Sequence, residues 1–150
     1  FPVVRDLMVD RGAIFDRLKR VRAWIEIDGA WDIYQGAPRI SPQTWRETYL
    51  YSQCMSCGCC LASCPQYGAH SDFVGPAALA QVRLMNVHPT GRYNREDRLH
   101  AIMAEGGLSD CGNAQNCIHV CPKGIPLTSA IAELGREVTG QLVRDLFGKS

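Results

Sequence analysis

Cys54-Met55-Ser56-Cys57-Gly58-Cys59-Cys60-Leu61-Ala62-Ser63-Cys64-Pro65 is the stretch that decides how this chain folds. With Cys59 set aside, its spacing is C-x2-C-x2-C-x3-C-P, the run by which two-cluster iron–sulfur proteins hold their cubanes. Three thiolates two residues apart can wrap one face of a cluster. The fourth, followed by Pro, points away and ligates the other cluster. Chance rarely sets four Cys and a Pro in this register.

A second window supplies the other half. Adding 57 to positions 54, 57, 60 and 64 gives 111, 114, 117 and 121, where the residues are Cys111, Ala114, Cys117 and Cys121, and Pro122 repeats Pro65. The ligand run is therefore duplicated with one ligand missing. Cross-ligation assigns Cys54, Cys57, Cys60 and Cys121 to a [4Fe–4S] cluster. It leaves Cys64, Cys111 and Cys117 for a second site, where the methyl group of Ala114 cannot hold a fourth iron, so that cluster is expected to be [3Fe–4S]. Cys59 is left over and reads as a buried small hydrophobe or a donor beside the cluster, with a role as alternative ligand the lesser reading. Zinc is the competing metal, but zinc sites pair two short Cys/His knuckles and have no use for a third Cys and x3-C-P.

All eight cysteines fall in Cys54–Cys64 and Cys111–Cys121. Such tight loops suit a shared metal better than disulfides, and point to a reducing compartment. Sixteen basic residues against fifteen acidic give a net charge of +1, without the concentrated basic field that nucleic acid requires, so no nucleic-acid partner is expected. The arginines between Arg5 and Arg22 read as a solvated helix face with salt bridges. No stretch approaches the ~20 apolar residues of a membrane span; the uncharged candidate Val74–Val82 is short and holds Pro76. Arg5 and Asp6 interrupt the start before a signal peptide could form. There is no G-x-G-x-x-G, no P-loop and no nucleophile–base constellation, so no catalytic residue is assigned. His70, His88, His100 and His119 read as surface, capping or turn residues. Clusters without a substrate pocket make a wire, and a wire needs a donor and an acceptor.

The remaining pattern is nearly all helical, with 150 residues sufficient for a modest core. Leu7, Ile14, Phe15, Leu18 and Val21 recur at helical spacing and predict a helix from Val4 to about Trp24. Asp28-Gly29, Gly36 and Pro38 break it. Ser41-Pro42 starts a helix to about Tyr51, with Ser as cap and Pro in the first turn. Gly75-Pro76 starts another, to about Val87, and a further one spans about Arg95 to Glu105. The last runs from Pro126 to about Phe147, with Leu127, Ile131, Leu134, Leu142 and Leu146 as its apolar set. Little or no sheet is expected. The fold class is therefore all-α, an alpha-helical ferredoxin-like domain with two iron–sulfur clusters.

C-M-S-C-G-C-C-x3-C-P-Q-Y, then F-V-G-P-A-A-L, then D-C-G-N-A-Q-N-C-I-H-V-C-P-K-G-I-P-L closely resembles the iron–sulfur subunit of succinate dehydrogenase/fumarate reductase. It looks most like the bacterial type found with a dihaem cytochrome b anchor in Bacillus-like organisms. F-P-V-V-R-D-L-M-V-D-R looks like the family's segment just after a plant-type [2Fe–2S] domain. The resemblance, with a start at Phe1 and not at Met, implies the C-terminal part of a subunit of roughly 250 residues. Residues 1–40 would then be a linker helix and loop following the [2Fe–2S] domain, and 41–150 the two-cluster domain. It carries over the same partition of seven cysteines.

The resemblance further implies an electron-transfer subunit of succinate:quinone oxidoreductase, with fumarate reductase as the alternative. Its partners would be an FAD-containing flavoprotein subunit, a cytochrome b membrane anchor and quinone, at the cytoplasmic face of a bacterial membrane. Electrons would run from succinate through FAD and [2Fe–2S] to [4Fe–4S], [3Fe–4S] and quinone. Related subunits of anaerobic glycerol-3-phosphate dehydrogenase or heterodisulfide reductase keep two full Cys runs, and Ala114 speaks against them. Many members carry Trp after the C-P-x-Y, where Gly68-Ala69 stand here, and His after the first Cys of the second run, where Gly112 stands. These departures favour menaquinone over ubiquinone. Ten residues, Gln66–Gly75, separate Pro65 from Pro76, against three between Pro122 and Pro126; the insertion is expected to contact the anchor near the quinone.

Overall fold

Gly75-Pro76 opens the helix around which the rest is arranged. Pro sits at the first helical position, where its missing N–H costs nothing, and Gly75 takes φ +90°. A Cβ there would collide with the Leu61 side chain, so glycine lets this helix approach the first cysteine loop closely. The computed structural model describes residues 1–26, 32, 34–68 and 70–148. Among these, the helices are α1 (Gly12–Arg20), α2 (Pro42–Ser52), α3 (Cys59–Ala62), α4 (Pro76–Val87), α5 (Arg95–Met103), α6 (Asn116–His119) and α7 (Leu127–Phe147), preceded by strands β1 (Val3–Arg5) and β2 (Met8–Val9). Short 3-10 turns lie at Gly91–Asn94 and Leu108–Asp110.

Helix α4 packs against α1, α2, α5 and α7, so both its faces are covered. Leu79 and Val82 are fully buried with Phe73, Leu99, Ile102 and Leu134 in the main core. Each such side chain contributes roughly 1.5–3 kcal/mol of burial. A second apolar cluster joins Tyr51, Ala80, Ile125, Leu127 and Ala130 to two cysteines, Cys60 and Cys117. Phe73 and Val74 belong to the main core, so the insertion Gln66–Gly75 is in part core and not solely surface.

The helix starts expected from sequence at Ser41, Gly75 and Pro126 are present. Ser41 is extended, with its hydroxyl accepting from Thr44 N at 3.1 Å. Ser41→Ala is expected to cost about 1 kcal/mol of stability. A thermal-melt midpoint of the holoprotein checks this.

Two expectations fail. The helix predicted from Val4 begins only at Gly12. Val3–Arg5 and Met8–Val9 instead form an antiparallel hairpin, Val3 opposite Val9, turned at Asp6 with φ +52°. The β-branched Val3, Val4 and Val9 favour the extended chain, and the Asp10 carboxylate accepting from Gly12 N at 2.7 Å starts the helix late. Leu142 and Leu146 are not core: they are exposed, with Val143 and Phe147, because the covered face of α7 runs through the buried Gln141 and through Asp145, which His100 of α5 meets at 3.0 Å. The break predicted at Asp28-Gly29 lies outside the described residues, as does Ala69.

Candidate iron–sulfur centres

Each cysteine window forms the same loop. In the first, Ser56 and Gly58 take φ +52° and +81°, and α3 follows; in the second, 57 residues on, Asn113 and Gln115 take φ +52° and +62°, and α6 follows. The duplication thus extends from the cysteines to the backbone. Alternating positive φ curls a chain so that its N–H groups turn inward, a concavity that favours anions such as thiolate-bound clusters. A Cβ on Gly58 would come within 2.7 Å of the Phe1 ring and 3.0 Å of Ile14, so the N-terminal segment presses directly on the first loop. Asn116 Nδ2 donates to Ser63 O at 3.0 Å and ties the two windows together.

The cysteines divide between two cavities. Cys54, Cys57, Cys60 and Cys121 all line one of about 40 Å³, whose other walls include Ile14, Leu61, Val74 and Leu127. Cys64, Cys111 and Cys117 line a second of about 20 Å³, together with Ala114. Each exceeds the ~10–15 Å³ that holds one water. Ala114 occupies in the second loop the place of Cys57 in the first. All eight cysteines are free thiols.

Burial, with Cys54 and Cys57 adding to it, pushes the Cys60 thiol up to about 12, and burial likewise raises Cys117. Without a cation beside them these sulfurs stay protonated. Ile125 N–H donates to Cys121 Sγ at 3.4 Å, a contact of the kind that tunes a ligating sulfur.

A single zinc ion would draw its sulfurs to about 3.8 Å of one another, given Zn–S bonds of ~2.3 Å. Among the described residues, the one group of three His, Cys, Asp or Glu ligand atoms within 4.8 Å of each other is Glu96, His100 and Asp145, and it contains no cysteine. The cysteine sets are too open for one zinc and suit a multi-iron cluster. The donor chemistry therefore fits iron–sulfur groups, with four cysteines at one cavity and three at the other.

A family model described as "4Fe-4S dicluster domain" matches residues 51–125, which include both cysteine windows. The chain belongs to the 4Fe-4S dicluster domain family. Three curated relatives of this dicluster chain are similar over most of its length. The succinate dehydrogenase iron-sulfur subunit of Bacillus subtilis is 55% identical over 99% of this chain and 58% of its own. The fumarate reductase iron-sulfur subunit of Wolinella succinogenes is 35% identical over 92% of this chain and 58% of its own. That of Escherichia coli is 29% identical, covering 89% and 54%. The chain thus spans somewhat over half the length of these relatives.

The other expected residues fall as follows. Cys59 is exposed beside Cys57 and lines neither cavity. The buried reading fails because Cys59 opens α3 on its outer side while Cys60 points inward. His88 is a capping residue, its Nδ1 accepting from Thr90 N and Gly91 N. His70, His100 and His119 are exposed. Lys19 and Arg22 do form surface ion pairs. Arg11, Arg17 and Arg20 instead reach backbone carbonyls of Ser56, Phe73 and Asp72, clamping α1 onto the loops around the cavities. Their part in the site was missed, since their spacing is that of any solvated helix. Gly58 between two cysteines was the available signal for the loop's left-handed turn. No helix among the described residues is long and apolar enough to cross a membrane.

Proposed function

We propose that this chain is the two-cluster part of a succinate:quinone oxidoreductase iron–sulfur subunit, in which Cys54, Cys57, Cys60 and Cys121 hold [4Fe–4S] and Cys64, Cys111 and Cys117 hold [3Fe–4S]. The observation that carries the reading is the sorting of seven cysteines into sets of four and three around separate cavities, with a methyl group at the remaining place. When bound, the clusters supply one-electron carriers in series between a flavin-bearing partner and quinone. The protein's share is positional. The duplicated loops fix the sulfurs, α4 and the paired α3 and α6 fix the separation of the two centres, and the Ile125 N–H tempers the charge on Cys121.

The similarity to succinate dehydrogenase and fumarate reductase subunits supports an FAD flavoprotein and a cytochrome b anchor as partners, with the assembly at the cytoplasmic face of the membrane. A [2Fe–2S] domain before residue 1 completes the electron path, and residues 1–40 connect it to 41–150. The acceptor side is the second cavity. Beside it Gln66 covers Gly112: a Cβ on Gly112 would meet Gln66 Nε2 at 2.6 Å. An open polar groove lined by Gln66, Tyr67, His70 and Asp110 adjoins it. Part of the insertion Gln66–Gly75 thus faces the anchor, and menaquinone is the acceptor.

Iron and acid-labile sulfide analysis of the full-length subunit, with EPR of the oxidised protein, tests the assignment. About seven irons from these two centres and a paramagnetic oxidised three-iron signal are expected. Two cubanes of equal nuclearity, or zinc without sulfide, overturn it. Exclusive activity of the complex with ubiquinone overturns the choice of quinone.

A further inference from the structure

Arg17 is the one basic side chain of α1 that lines the first cavity. Its Nε donates to Phe73 O at 3.1 Å and its Nη1 to Ala13 O at 3.1 Å, and its guanidinium carbon lies 4.8 Å from the centre of the Tyr67 ring. Among the described residues no carboxylate pairs with it. Its contacts are two carbonyls and an aromatic face, so its full positive charge is held without a counter-ion. The planar fork makes this a fixed cation, unlike a mobile lysine. The cavity walls beside it are largely apolar, and Arg17 is half-buried, so water screens its charge only in part. The second cavity differs: Gln66, Asn113, Gln115, Asn116 and Thr128 are its polar lining, and among the described residues no charged side chain lines it.

We propose that Arg17 is a positioning residue that raises the reduction potential of the cluster in the first cavity and leaves that of the second nearly untouched. The inference rests on the reading that Cys54, Cys57, Cys60 and Cys121 hold a cluster. On reduction that cluster gains one electron from the preceding carrier and later yields it to the next. Arg17 transfers neither electron nor proton. It stabilises the extra negative charge of the reduced form, as nearby charge does at iron–sulfur centres generally. Lys123 also lines this cavity, but it is exposed, and water screens it.

The test is an EPR-monitored redox titration of both clusters in the intact complex, with iron content measured on the same samples. Arg17→Gln is expected to shift the one-electron equilibrium of the first cluster about tenfold toward the oxidised form, a fall of about 59 mV. Arg17→Lys, which keeps the charge, is expected to restore at least half of that shift, and Lys123→Gln to produce a smaller one. The second cluster's midpoint stays in place throughout. Should Arg17→Gln lose iron, Arg17→Met keeps the apolar stem against the wall and carries the same comparison. An unmoved first midpoint at full iron content overturns the proposal. So do equal shifts of both clusters, or a lysine variant that behaves like the glutamine one. A wild-type protein without a four-iron cluster defeats the underlying assignment instead, and the iron analysis tells the two failures apart.

Discussion

Ala114→Cys is expected to convert the three-iron centre into a four-iron one. Iron from the two centres rises from about seven to about eight per subunit, and the EPR signal of the oxidised three-iron cluster disappears. The argument is geometric. Ala114 stands between Asn113 and Gln115, both at positive φ, as Cys57 stands between Ser56 and Gly58. Both residues line their cavities. A sulfur on Cβ of residue 114 therefore projects into the second cavity as that of Cys57 projects into the first. The fourth thiolate arrives with a fourth iron, so what changes is the cluster type; the centre's potential is expected to fall, and a drop of about 59 mV cuts the population of its reduced form on the order of tenfold, so electron delivery to quinone falls. EPR, iron analysis and quinone reductase activity of the complex check the three effects. A three-iron signal that persists in the Ala114→Cys protein means that the shape of the cavity, and not the absent ligand, sets the nuclearity.

The cavities were legible before the structure because metal ligation leaves a rigid trace in sequence. Thiolates must be of one residue type and at fixed spacing, so a shift of 57 finds both loops and the gap at Ala114. Helix starts at Ser41 and Gly75 were legible for a similar reason, since capping and the missing N–H of Pro act locally. The N-terminal segment was not. Its apolar residues occur at helical intervals, but Val3, Val4 and Val9 sit in a hairpin, and Leu7 at its tip is exposed. What fixes the segment is long-range: Phe1 against Gly58, Arg11 on Ser56 O and Arg17 on Phe73 O. Periodicity carries no information about such partners. The same holds for Leu142 and Leu146, whose spacing marks a face of α7 without saying which face the neighbouring elements cover. Cys59 misled in a different way. Cysteine is generally a buried residue type, but here its neighbour Cys60 takes the inward place.

Glu137→Ala is expected to cost about 3–5 kcal/mol, as much as truncating a buried core side chain. Glu137 is nearly buried on α7 and receives Arg83 from α4, Arg95 Nε from α5 at 3.1 Å and Asn86 Nδ2 from α4 at 2.8 Å. Asn86 in turn accepts at Oδ1 from Nε of the fully buried Arg98, at 3.2 Å. Burial opposes the charge on Arg83, but Glu47 and Glu137 outweigh it and hold its guanidinium above its ordinary value. Removing Glu137 leaves Arg83 with only Glu47, 2.6 Å away, and strips an acceptor from the buried Asn86 and from the half-buried Arg95. The penalty comes less from the lost attraction than from the stranded donors. In the holoprotein the readout is the temperature at which cluster absorbance is lost, expected to fall by roughly 10 °C. Glu137→Gln, which keeps an acceptor for one donor, falls between. Replacing the pair together, Arg83→Met with Glu137→Leu, recovers much of the loss, since the charges that then lose a partner, Glu47 and Arg95, are each partly exposed to water. If Glu137→Ala alone shifts the temperature by no more than a surface substitution would, then the crossing of α4, α5 and α7 is held by Leu79, Leu99 and Leu134, and the ionic network contributes only orientation.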